Sequence, residues 1–205
     1  MNSERKHHWE KVYETKSPSE VSWTQEKPVT SLDFILSFDL PKSAPIIDVG
    51  GGDSLLVDNL LNLGYTDITV LDISGKALER AKKRLGKLAE KVDWIESDIS
   101  QFNPTRSYSI WHDRAAFHFL TSPQEIRAYS LLVENYVAVG LTIGTFSEKG
   151  PLKCSGLEIA QYNEKSLTEI FQPKFLLNKT QTVFHTTPFD TQQHFLFCGF
   201  TRNSN

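Results

Sequence analysis

Cysteine is scarce in this 205-residue chain: Cys154 and Cys198 stand far apart and share no CxxC spacing. That excludes a disulfide framework and a cysteine-based zinc site, so both are read as reduced thiols. No apolar run approaches the roughly 20 residues that a membrane helix needs, and the opening MNSERKHHWEKVYE is too polar for a secretory segment. A cytoplasmic chain without membrane contact is expected. A basic excess is missing too, because 22 Lys and Arg face 25 Asp and Glu for a net charge of −3. Without an overall field drawing phosphate backbones, nucleic acid is not an expected partner. Internal repeats, low-complexity tracts and linkers are absent from the sequence. The 39% hydrophobic and 23% charged residues suffice for one generous core but are few for two. The expected organisation is a single domain over 1–205, with 1–42 as a covering arm and 43–205 as an α/β core.

From about Ser43 onward, short β-branched apolar runs alternate with longer amphipathic stretches, the pattern of a parallel sheet covered by helices on both faces. Strands are predicted over residues 46–49, 68–73, 92–96, 108–112 and 141–146. Gly64 is placed to end the helix over 55–63 in the left-handed conformation of a C-terminal cap. Ser74 is placed to cap a basic helix over 76–91. Ser122, Pro123 and Glu125 form a capping box with proline at the first helical position, and Asn163 is placed to cap a later helix. Two long alternating runs, 175–185 and 195–201, predict an antiparallel hairpin. The predicted fold class is therefore α/β, with a Rossmann-like, seven-stranded mixed sheet that is mostly parallel.

In an open sheet of this kind, ligands bind beyond the carboxyl ends of the strands. Polar residues gather there in order: Asp48-Val49-Gly50-Gly51-Gly52 after the first strand, Asp72-Ile73 after the second, Ser97-Asp98-Ile99 after the third and His112-Asp113-Arg114 after the fourth. Glycine lets a ligand approach the backbone closely. A carboxylate at the next strand end can grip ribose hydroxyls, and a further one can accept a hydrogen bond from adenine. Taken singly, each residue also fits a tight turn or a helix cap. Their succession, one polar group per strand end, favours a nucleoside ligand. A nicotinamide dinucleotide requires GxGxxG, and Leu55 stands at the third glycine position. No GK(S/T) follows the turn, which excludes a Walker loop.

The order DxGxG, strand-end Asp72, Ser97-Asp98-Ile99 and a terminal hairpin resembles the class I S-adenosylmethionine-dependent methyltransferases over nearly the whole chain. The usual motif there is (D/E)xGxGxG, and Ser54 stands in its last place. The resemblance implies S-adenosylmethionine as cofactor, with Gly50, Gly51 and Gly52 beside its methionine part, Asp72 and Ile73 at the ribose, and Asp98 with Ile99 at the adenine. The stretch Trp111-His112-Asp113-Arg114-Ala115-Ala116-Phe117 looks like a segment of the thiopurine-type S-methyltransferases and of some protein lysine methyltransferases. Trp9 and Trp23 resemble the aromatic N-terminal arm of such enzymes. Aromatic faces attract cations such as the cofactor sulfonium, although core packing accounts for these rings equally well.

Methyl transfer is an in-line displacement governed by alignment and exclusion of water. Asp113 and His112 are the candidate catalytic residues, placed to orient an acceptor or remove its proton, with His118 a third. Each also has a structural reading, as cap or packing residue. Arg114 suits either recognition of a carboxylate or an internal ion pair. No metal is assigned, because no further ligands converge on the histidines. Cys154 lacks the preceding proline of a cytosine-methylating nucleophile, and no (D/N)PP(Y/F) motif follows the fourth strand. The expected function is methyl transfer to a small-molecule nucleophile, with a thiol favoured by its accessible pKa. A protein lysine is the alternative acceptor. An NAD-linked oxidoreductase and a non-catalytic S-adenosylmethionine-binding regulator are the readings from other classes.

Overall fold

Helix α1 spans Asn2–Thr15 and α2 Val29–Leu36, after which β1 (Ile46–Val49) leads into α3 (Leu56–Asn62). The computed structural model describes residues 2–203. The βα alternation continues with β2 (Ile68–Asp72), α4 (Gly75–Leu85), β3 (Val92–Glu96), β4 (Tyr108–Arg114), α5 (Pro123–Tyr136) and β5 (Val137–Phe146). A short hairpin of β6 (Lys153–Cys154) and β7 (Leu157–Glu158) precedes α6 (Glu164–Phe171), and β8 (Phe175–Thr186) and β9 (Gln192–Arg202) close the chain. The main sheet has seven strands in the order β3-β2-β1-β4-β5-β9-β8. Pairing is parallel from β3 to β5 and antiparallel on both sides of β9. Strand order reverses between β1 and β4, and a crevice opens at that point in such sheets.

Alternation along the strands sends successive side chains to opposite faces. Ile46, Ile68, Val70 and Ile110 pack with Leu32, Leu56, Leu60 and Leu78 of α2, α3 and α4. Ile47, Val49, Leu71 and Trp111 pack with Tyr129, Val133, Leu167 and Phe171 of α5 and α6. Helices therefore cover both faces, as the sequence pattern predicts. Within the N-terminal 42 residues, α2 belongs to this packing, because Phe34 and Ile35 are fully buried. Each such burial contributes about 1.5–3 kcal/mol.

Local signals set most boundaries. Ser74 accepts a hydrogen bond from the Ala77 amide at 3.2 Å and caps α4. The capping box of Ser122 and Glu125 starts α5, and Asn163 caps α6. Gly64 has φ +86° beyond the end of α3. Several bounds differ from expectation. The basic helix stops at Leu85, since Gly86 adopts φ +56° and a 3-10 turn follows. Strand β4 runs two residues further, to Arg114. Strand β5 begins directly after α5, where Arg202 from β9 donates to the carbonyls of Glu134 (2.8 Å) and Val137 (2.6 Å). Among the described residues, no helix is long and apolar enough to cross a membrane.

Close packing extends to the middle of β5. Gly144 lies opposite Phe197 of β9, and a Cβ there would stand 2.6 Å from the buried Phe197 ring. A confined ring cannot yield that space without disturbing its neighbours. Gly144→Ala is expected to lower stability by about 1–3 kcal/mol, seen in urea denaturation as an earlier midpoint with unchanged slope.

Candidate active site

The turn after β1 is held by two amides, since Gly50 and Gly51 both donate to the Leu71 carbonyl, at 2.8 and 3.2 Å. Gly50 has φ +68°, and a Cβ on it would stand 2.5 Å from that of Ala116 in the turn after β4. Glycine is thus required twice over, by conformation and by the approach of a second turn. Above these turns lies a cavity walled by the ends of β1 to β4 and by the N-terminal arm.

Most of the residues anticipated from the sequence meet at this cavity. Trp9, Trp23, Asp48, Gly50, Gly51, Asp72, Ile73, Asp98, Ile99 and His112 all line it. Gly52 does not: at φ +48° it lies under the Tyr13 hydroxyl, which a Cβ would approach to 2.8 Å. Gly52 thus meets the arm at Tyr13, which itself lines the cavity. Trp9 packs edge-on against Trp23 (ring centres 5.8 Å) and Phe119 (5.1 Å), making an aromatic roof.

The carboxylates occupy different environments. Asp72 is buried and accepts a hydrogen bond from the Ser74 amide at 2.8 Å. Burial pushes its carboxyl up to about 7, opposed by that hydrogen bond and assisted by the nearby Asp53 and Asp48 charges. Asp98 accepts from the Ser100 amide at 2.9 Å and has Arg5 of α1 3.7 Å away. Asp48 faces His112, with Oδ1 2.7 Å from Nδ1. A carboxylate can only accept, so Nδ1 carries the proton in this contact. Nε2 is buried and has no hydrogen-bond partner among the described residues.

Asp113 departs from expectation. Its side chain is fully buried and is not part of the cavity wall. Oδ1 accepts from the amides of Ala116 (3.1 Å) and Phe117 (2.9 Å), and Oδ2 accepts from the Tyr129 hydroxyl (2.8 Å). Tyr129 in turn accepts from Trp111 Nε1 at 2.9 Å. Burial pushes the Asp113 carboxyl up to about 6 against the pull of these bonds. With its oxygens committed to the β4 turn and α5, Asp113 anchors structure, which corrects its reading as a catalytic residue. His118 is likewise buried away from the cavity, stacked on Phe146 at 4.7 Å, and burial pushes it down to about 3, keeping it neutral.

Other cavity residues have no local sequence signature. Phe195 arrives from β9, Phe119 from the turn after β4, and Cys154 from the β6–β7 hairpin. The Cys154 thiol is pushed up to about 11 by burial, so it is protonated at neutral pH. Arg114 donates to the Trp23 carbonyl at 3.0 Å and forms no ion pair with a described carboxylate within 4 Å.

A glycine turn at the switch point, acidic residues closing β2 and β3, and an antiparallel β9 between β5 and β8 agree with the resemblance to the class I S-adenosylmethionine-dependent methyltransferases. Residues 46–134 match the family described as a methyltransferase domain. One similar structure concerns conversion of a disulfide bond into a thioacetal group during echinomycin biosynthesis (TM-score 0.78, 16% identity, covering 98% of this chain and 94% of that one). Another is the 1,6-didemethyltoxoflavin-N1-methyltransferase of Burkholderia thailandensis, with bound 1,6-didemethyltoxoflavin and S-adenosylhomocysteine (TM-score 0.69, 16% identity, covering 98% and 85%). Among curated proteins, an eEF1A lysine and N-terminal methyltransferase of Mus musculus is 22% identical over 119 residues. That match covers 58% of this chain and only 17% of the relative.

The hydrogen-bond chain through Tyr129 gives a direct check on the structural role of Asp113. Tyr129→Phe strands the Trp111 N–H and one Asp113 oxygen, and a buried polar group left without its partner costs about 1–3 kcal/mol. A fall in unfolding free energy of that size is expected in chemical denaturation. A variant as stable as the parent would show that the chain of bonds contributes nothing.

Proposed function

We propose that this protein transfers a methyl group from S-adenosylmethionine to a small-molecule nucleophile, with a thiol as the favoured acceptor and His112 as general base. The observation that carries this reading is the Asp48–His112 pair at the wall of an aromatic-roofed cavity, with Nε2 unpartnered. The residues present suit the cofactor. Asp72 offers a carboxylate to ribose hydroxyls, Asp98 and Ile99 bracket the adenine position, and Gly50 and Gly51 leave room for the methionine part. Trp9 and Trp23 present ring faces that favour a cation. When bound, S-adenosylmethionine supplies an electrophilic methyl group on its sulfonium.

The chain's own residues then align and deprotonate the acceptor. His112 takes the acceptor proton on Nε2, and Asp48 holds the ring and stabilises the imidazolium. An ordinary thiol, with a pKa of about 8.5, is about two units more acidic than a lysine ammonium. A thiol is therefore the easier substrate for this base. The likeness to a protein acting in disulfide-to-thioacetal conversion supports sulfur, and the didemethyltoxoflavin enzyme supports a small acceptor. The eEF1A lysine methyltransferase supports the alternative, a protein amine.

Purified protein given radiolabelled methyl donor should label members of a small-thiol panel and leave lysate proteins unlabelled. His112→Gln should reduce kcat by about 10²–10⁴-fold while S-adenosylhomocysteine affinity stays within about threefold. Labelled protein lysine without thiol turnover would replace the small-acceptor reading by the protein one.

A second expectation follows from Asp72. Its free-state carboxyl is raised to about 7, so it is protonated at lower pH and must ionise to accept two ribose hydroxyls. Affinity for S-adenosylhomocysteine should fall about tenfold from pH 8 to pH 6, with proton release on binding. Calorimetry checks this, and Asp72→Asn should bind more weakly with the pH dependence flattened.

A further inference from the structure

We infer that the methyl acceptor carries a carboxylate, and that Arg114 is the residue that binds it. The inference rests on the acceptor cavity described above and adds the chemical class of its occupant. Arg5, Arg80, Arg84 and Arg106 each stand within 4 Å of a carboxylate. Arg114 lines the cavity, yet among the described residues it has no such counter-ion. Its one hydrogen bond runs to the Trp23 carbonyl at 3.0 Å. A guanidinium has five N–H donors in a planar fork, so most of this donor set is uncommitted. Burial lowers its pKa only to about 10, and it remains a cation at neutral pH.

Arg114 is half-buried in the cavity wall, and a cation there with open donors favours an anionic occupant. Asp48 is a carboxylate whose charge favours the cation. Its Oδ1 is already held by His112, and it forms no ion pair with Arg114. A fork that presents parallel donors is matched by a planar carboxylate.

Position separates this anion from the cofactor. The Arg114 guanidinium lies 5.7 Å from the centre of the Phe195 ring on β9, which is two strands away from β4. Asp72 and Asp98 lie in the other direction, at the ends of β2 and β3. The guanidinium thus leans toward the half of the cavity walled by Phe146 and Phe195. His112 and Arg114 are two residues apart on one strand, so both project from the same face with about 7 Å between them. An acceptor spanning that interval has its carboxylate at Arg114 and its nucleophile at His112, joined by a small apolar or aromatic body. A mercaptobenzoic acid has these dimensions and this chemistry.

The test is calorimetric titration of protein saturated with S-adenosylhomocysteine, using 3-mercaptobenzoate and its neutral isostere 3-mercaptobenzamide. The carboxylate should bind about 10- to 100-fold more tightly, the worth of a charge-assisted pair. Arg114→Gln should erase the difference, and Arg114→Lys, which keeps the charge but loses the fork, should retain part of it. S-adenosylhomocysteine affinity should change less than threefold in both variants, and the lysine variant decides the matter if the glutamine variant does not fold. Equal affinity for the two probes, or binding of neither, overturns the inference. So does a tenfold loss of S-adenosylhomocysteine affinity in the variants, since the cation would then be holding the cofactor's own carboxylate. Because the readout is binding, 3-mercaptobenzoate held through Arg114 but never methylated would sink the thiol reading and leave this inference standing. Thiol turnover without preference for the carboxylate would do the reverse.

Discussion

Beyond their backbone pairing, a side-chain hydrogen bond from His112 Nδ1 to Asp48 Oδ1 links the two strands between which the order of the sheet reverses. The pair is buried and spans the switch point, where the backbone turns of β1 and β4 also come into contact through Gly50 and Ala116. Two elements far apart in sequence are held there in one arrangement. The β1 turn is thereby tied to the strand that carries His112 and Arg114.

Around this fixed point the support is apolar on one side and ionic on the other. The β4 turn is secured by Asp113, whose bonds to two amides and to Tyr129 reach into the packing of α5 and α6. The N-terminal arm is tied down by charge. Arg5 bridges Asp98 and Glu125, Lys6 meets Glu96, and Lys76 meets Glu14. Arg80 donates to the carbonyls of Tyr13 and Lys16 at the end of α1. Ion pairs with this much solvent contact are worth about 0–1 kcal/mol each and weaken in salt. The sheet end is rigid, and its covering is more easily moved.

The ends of β1, β2 and β3 were legible in the sequence because each contribution there is local. A glycine turn, a strand-terminal acid and a serine cap announce themselves within a few residues, and Asp72, Asp98 and Gly50 line the cavity. The rest of the cavity depends on contacts across the fold. Asp48 and His112 were each visible, but their pairing required knowing that β4 lies beside β1. Asp113 looked like a reactive carboxylate because nothing near it reveals that Tyr129, on the following helix, completes its bonding. Gly52 was separated from the cavity by Tyr13, nearly 40 positions earlier. The start of β5 was missed for a similar reason, since the carbonyls at the end of α5 are capped by Arg202 from the last strand. Phe195 reaches the cavity only through antiparallel pairing of β9 with β5.

The aromatic roof has one more consequence. Helix α1 meets the rest of the protein through Val12 and Tyr13, both buried, and through Trp9, which shares its contacts between Trp23, Phe119 and the cavity. Any molecule that fills the cavity gives Trp9 further apolar surface to cover, and so favours the docked position of the arm. Thermodynamic reciprocity makes the relation symmetrical: whatever free energy an occupant lends to docking of α1, docking returns to retention of the occupant. Ions that loosen the salt links at the rim would therefore weaken binding at a distance, without touching a single atom of the cavity wall.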